Sequence, residues 1–235
     1  MASWGKTVVA VGLGLSSLQV LAAPLPGFAL AGQTEHIRFF ARAGEHEGAS
    51  LKDGEKRLVQ LSRELGLESV PKADFYHYVS AGDIAAVHGA YAGGLTFPEL
   101  GEVHTTPTRR DHELVHLVAS QLGDPGAFFQ EGLAVALGDA SRYRGQDVDR
   151  VAARYARRAS LPELMRAFRP GEPGAGYAVA GSFVRGLIRA HGIDRVAAFF
   201  RGCRTSPVPA AFAAAFGASL EEAGASWAHR IVSAS

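Results

Sequence analysis

Asp111-His112-Glu113-Leu114-Val115-His116-Leu117-Val118 is followed, after a short turn, by Phe128-Phe129-Gln130-Glu131-Gly132-Leu133-Ala134-Val135-Ala136-Leu137. These two apolar runs divide the chain into halves of different character. Upstream, His36–Arg42 and Ala73–Ser80 are aromatic and β-prone and predict strands. Between them Leu51, Leu58, Leu61 and Leu65 recur at helical spacing and predict an amphipathic helix that stops near Gly66. Ala81–His88 suits a short helix, and Leu95–Thr106 one or two strand pieces broken by Pro98 and Gly101. Beyond Pro107 the pattern is mostly helical. A β-rich part, about residues 34–106, thus precedes a helical part, about 109–235, which is the pattern of an α+β domain.

The first apolar run carries H-E-x-x-H. Two imidazoles at i and i+4 share one helix face and can share one tetrahedral zinc ion. Glu113 then falls at the neighbouring edge, where it can take a proton from water without being a ligand. The surrounding Leu114, Val115, Leu117 and Val118 predict a buried helix. Polar groups in such a place are costly unless they are bound to something. A zinc hydrolase site needs three protein ligands and one open position. Ala119 and Leu122 stand where a metzincin would have its glycine and third histidine, so that branch is excluded. Glu131 is the favoured third ligand: a turn at Asp124-Pro125-Gly126 lets a second helix return it to the histidines. Its competing role is a helix-start glutamate favoured by the dipole. Asp124 and Asp139 are poorer alternatives.

HELVH followed by FFQEGLAVAL resembles the gluzincin branch of zinc metallopeptidases, which includes thermolysin-like enzymes and secreted peptidase-MA-like bacterial proteins. The second helix of that group reads roughly W-x-x-E-G-x-A. Tyr177–Leu187 is similar to its Y-x-x-x-G-x-F-x-x-x-L helix, and Phe212–Trp227 shares further landmarks. The resemblance implies a zincin fold, Zn2+ held by His112, His116 and Glu131, Glu113 as general base, and a peptide or protein substrate. Some members use a downstream tyrosine to stabilise an oxyanion. Tyr177 is the candidate here, with a plain packing role as the alternative. Two departures stand out: Phe128 replaces the usual tryptophan, and only 14 residues separate His116 from Glu131. Two other functions fit the same residues: a non-catalytic envelope binding or scaffold protein, and a zinc amidohydrolase with a non-peptide substrate.

The 235 residues hold 24 Lys+Arg against 23 Asp+Glu, a net charge of +1, which excludes nucleic-acid binding by bulk charge. The single cysteine, Cys203, excludes an internal disulfide and a multi-cysteine zinc site; a partly buried, inert thiol is expected. Lys6, the uncharged run Thr7–Ala23 and the small residues up to Ala31 have the order of a secretory signal. Cleavage after Ala31 is expected to leave a single domain, residues 32–235, with no stable membrane span. Such a protein is secreted or periplasmic, in a bacterial cell envelope. Eight arginines between Arg142 and Arg169 read as a solvated face, or as a basic rim for acidic polymers. His104, Thr105 and Thr106 are candidates for the cleft rim.

Overall fold

A computed structural model describes residues 24–43, 48–172 and 174–235. The uncharged N-terminal run lies outside the described residues. The elements run β1 (Ala29–Gln33), β2 (Ile37–Ala41), α1 (Gly48–Glu64), β3 (Ala73–His77), α2 (Ala81–His88), β4 (Gly94–Phe97) and β5 (Glu102–Thr105). After a 3-10 turn at Pro107–Arg109 come α3 (Arg110–Ser120), α4 (Ala127–Leu137), β6 (Arg142–Tyr143) and β7 (Gln146–Asp147). The chain then continues with α5 (Val148–Ala156), α6 (Leu161–Ala167), α7 (Gly176–His191), α8 (Ile193–Gly202), α9 (Val208–Phe216) and α10 (Leu220–Ser233). The protein is α+β: a five-stranded mixed sheet with helices, then a mostly helical half.

The sheet order is β1-β2-β3-β5-β4. β2, β3 and β5 are mutually parallel, and β1 and β4 close the two edges antiparallel. Strand side chains alternate between faces, and the two faces bury different chemistry. Ile37, Phe39, Ala73, Phe75 and Val103 join the main core with α1, α3 and the later helices. Phe40, Tyr76 and Tyr78 point the other way and pack with Phe28 and Ile84.

Two features depart from the sequence expectation. β1 occupies Ala29–Gln33, a stretch expected to be a processing site, and carries Phe28 into the second core beside Tyr76 and Tyr78, at ring separations of 5.4 and 5.0 Å. The basic segment is not wholly helical, because β6 and β7 form a small hairpin there. Its two-residue loop, Arg144-Gly145, has φ of 49° and 76°, the geometry that matches the right-handed twist of the strands it joins. Arg154, Arg157 and Arg158 lie exposed, as a solvated face requires. Cys203 is half-buried, and burial raises its thiol pKa.

α3 and α4 form an antiparallel pair, and α4 packs closely on α7. Small residues allow both approaches. A Cβ at Gly132 would meet Val184 Cγ2 at 2.6 Å and the Ala180 carbonyl oxygen at 2.7 Å. One at Gly138 would lie 2.6 Å from the Cα of His112.

Candidate metal centre

α3 is buried along most of its length; Leu114, Val115 and Val118 are fully enclosed. His112 and Glu113 are only 2 % and 4 % exposed, while His116 is half-buried. α4 starts just after Gly126, whose amide donates to Asp124 Oδ1 at 2.8 Å. Asp124 is therefore spent on the turn. One helical turn in, Glu131 reaches the histidines. His112 Nε2 and His116 Nε2 are 3.2 Å apart, and Glu131 Oε2 is 3.2 Å from the first and 3.5 Å from the second. A tetrahedral ion with bonds of about 2.0–2.1 Å separates its ligand atoms by about 3.3–3.4 Å. The triangle has that size, and His112, His116 and Glu131 can hold a metal ion.

Behind the triangle, Asp139 Oδ2 lies 3.0 Å from His112 Nδ1 and takes an ion pair from Arg109 at 2.9 Å. A carboxylate there keeps the proton on Nδ1 and turns the Nε2 lone pair inward, the outer-shell arrangement of metal-binding histidines. Asp139 thus lies behind His112 and outside the group that can hold a metal. Its role was hidden because the sequence does not show that Gly138 brings the end of α4 against the start of α3. Burial disfavours charge on His112, but Asp139, Glu131 and Glu113 outweigh it and raise its pKa to about 9. Burial likewise disfavours the Glu131 carboxylate, and hydrogen bonds from His112 and His116 outweigh that, lowering its pKa to about 2.

Glu113 turns aside from the triangle. Its Oε2 accepts from Thr96 Oγ1 at 2.8 Å, and Thr96 Oγ1 also lies 3.1 Å from the Glu113 carbonyl oxygen. Both contacts come from β4, the edge strand, whose Gly94 leaves room for the Glu113 side chain: a Cβ there would fall 2.5 Å from Glu113 Cδ. Thr96 and Gly94 carry no motif and were not legible in advance. Tyr177 opens α7, half-buried against Phe168 and Tyr143, and its hydroxyl accepts from the Gly171 amide at 2.8 Å. Burial and the charge of Glu131 raise its pKa.

The three rim candidates are all buried. His104 is fully buried on the opposite face of the sheet. Thr105 and Thr106 are buried, their hydroxyls donating to the carbonyl oxygens of Thr106 and Gly93 at 2.9 Å each. A second His/acid group, Glu35-His36-Glu55, is more exposed and internally paired: Glu55 takes His36 Nδ1 and Thr34 Oγ1 at 2.6 Å each. It ties β2 to α1. No known protein family matches the chain, and no curated protein is detectably similar to it.

Proposed function

We propose that the chain is a zinc-dependent metallopeptidase of the gluzincin kind. The observation that carries this reading is the position of Glu113. It is a buried carboxylate beside a metal-sized His112–His116–Glu131 triangle, excluded from it, and held by Thr96 of an edge strand. A purely structural site has no use for such a group.

His112, His116 and Glu131 would hold zinc, which would supply Lewis acidity to polarise a carbonyl and lower the pKa of water at the site. Glu113 accepts the proton from the attacking water at its carboxylate and later passes it to the departing amine. Thr96 fixes the carboxylate so that no reorganisation precedes the transfer. Tyr177 remains protonated and, while accepting from Gly171, keeps its own O–H free to donate to an oxyanion. Among the described residues β4 pairs only with β5, so its outer backbone groups suit an extended peptide added as a further strand. That favours peptides over a non-peptide amide.

Export by an N-terminal signal belongs to the same proposal, with the mature domain in the extracellular or periplasmic space. A cut after Ala31 would divide β1 and remove Phe28 from the second core. A cut at Ala22-Ala23 keeps both intact, and the packing favours it. N-terminal sequencing of the exported protein decides between them.

The test of the catalytic reading is Glu113→Gln. It should keep zinc and the fold while losing about 10²–10⁴-fold in hydrolysis of a fluorogenic peptide library. Wild-type turnover in that variant refutes Glu113 as the base. A zinc-supplemented wild-type protein whose helix site stays empty refutes the metallopeptidase altogether.

A further inference from the structure

On the far side of the sheet a second triangle repeats the first. Tyr78 Oη lies 3.2 Å from His88 Nε2 and 3.1 Å from His104 Nδ1, and the two nitrogens are 3.1 Å apart. Tyr78 follows β3, His104 sits in β5, and His88 is the last residue of α2. Tyr78 and His104 are 1 % and 0 % exposed. His88 is half-buried and leaves a way in from solvent. As at the first centre, a carboxylate stands behind a histidine: Glu102 Oε2 is 3.2 Å from His104 Nε2. That contact keeps the His104 proton on Nε2 and leaves a lone pair on Nδ1, facing Tyr78 and His88.

Hydrogen bonds alone serve this arrangement poorly. Three short edges need three protons, but His104 has spent its own on Glu102. Tyr78 has one, and His88 can turn one inward, so two protons are shared over three short contacts. A cation at the centre would use all three lone pairs together. The ligand separations of 3.1–3.2 Å again come near the roughly 3.3–3.4 Å of a tetrahedral site. Burial favours the neutral form of both histidines, the form that binds metals, and also pushes the Tyr78 phenol up to about 12, so that an ion has to displace its proton.

We infer that Tyr78, His88 and His104 form a second divalent transition-metal site, separate from the catalytic one, which clasps α2 to the sheet. Two imidazoles and one phenol suit zinc or copper(II). On binding, the Tyr78 O–H bond breaks and its proton leaves to solvent; the oxygen and the two nitrogens each form one bond to the ion, and nothing is oxidised or reduced. The ion has a clear mechanical effect. α2 buries only Ile84, so little apolar packing holds it in place. A bond to His88 would fix its C-terminal end.

The full-length His112→Ala/His116→Ala protein isolates this site. Titrated with zinc sulfate and weighed by native mass spectrometry, it should bind one equivalent, and backbone amides of Ala81–His88 should become protected from hydrogen exchange. With copper(II) it should give a phenolate-to-metal charge-transfer band. Adding Tyr78→Phe, which keeps the ring and removes only the ligand oxygen, should abolish that band and weaken zinc binding at least tenfold. Adding His88→Ala should do the same to zinc at a half-exposed position. A folded double variant that binds no zinc overturns the inference, as does a Tyr78→Phe protein that keeps both band and affinity. The reverse case, a wild type whose single zinc is lost with Tyr78→Phe, would spare this site and refute the proposed catalytic one.

Discussion

Two triangles of similar size stand on opposite faces of one sheet, and they differ in how the chain assembles them. The helix-borne one draws two of its three corners from adjacent turns of α3, so helix geometry places His112 and His116 on one face, with their Nε2 atoms 3.2 Å apart. The sheet-borne one takes its corners from β5, the end of β3 and the end of α2. Only the fold brings those together. Local geometry makes the first triangle recognisable as a motif and robust; the second depends on register and on the docking of a short helix. Both use one carboxylate to set the histidine tautomer, Asp139 on His112 and Glu102 on His104. The orienting device is common to them, although the scaffolds are unrelated.

The comparison breaks most visibly at a ligand. His116→Ala should lower zinc affinity at the helix site by about 10³-fold or more, because two ligands cannot hold a tetrahedral ion tightly. Isothermal titration should show the sheet site unchanged in the same variant. If both sites weaken together, they are coupled and the contrast of scaffolds fails. Next come the orienting carboxylates: Asp139→Asn and Glu102→Gln should each cost about 10–100-fold in zinc affinity at their own site and nothing at the other. An Asp139→Asn protein with wild-type affinity would mean that the His112 tautomer is set some other way.

Packing effects should be smaller. Gly138→Ala places a methyl group 2.6 Å from the His112 Cα and should cost about 1–3 kcal/mol of stability by pushing α4 from α3. Urea unfolding measures this, and a neutral result would show that the helices have slack. The most gradual effect, at most about 1.4 kcal/mol per pH unit for each group, concerns the zinc-free protein. His112, facing Asp139, Glu131, Glu113, His116 and Arg109, has its pKa raised from 6.5 to about 9. Its contribution is complete below pH 6.5 and should be lost as pH rises through about 9. His104, facing Tyr78, His88 and Glu102, has its pKa lowered to about 3 by burial and then by the neighbouring His88. Its contribution is complete above 6.5 and should be lost as pH falls toward 3. Urea midpoints across this range should fall on both sides. His112→Ala should flatten the alkaline limb only, and an alkaline limb that persists in it would assign that loss to another group.

Much of the helix site was legible because its signals are local. The i, i+4 histidines, the glutamate between them and an E-G pair after a short turn all act within one or two elements, where periodicity is informative. The strands at residues 37–41 and 73–77, the helix at 81–88 and the change from β to helix were visible for the same reason. β1 was not, because Ala29–Gln33 has the composition of a processing site and becomes a strand only by pairing with β2. Asp139 was weighed as a ligand, and it meets the outer nitrogen of His112 and not the triangle, a distinction that rests on which imidazole nitrogen it faces.

The sequence by itself determined the ligand types, their spacing on α3 and the division into a β-rich and a helical half, since each depends on neighbours along the chain. Tertiary structure alone decided that Thr96 and Gly94 of an edge strand hold Glu113 off the metal triangle. It also decided that His104, itself a candidate for the rim, faces the other way. Strand alternation turns consecutive residues to opposite faces, and which face meets which helix depends on the order of the strands in the sheet. That order joins β3 to β5 rather than β4, and so sets Tyr78 beside His104, 26 residues away.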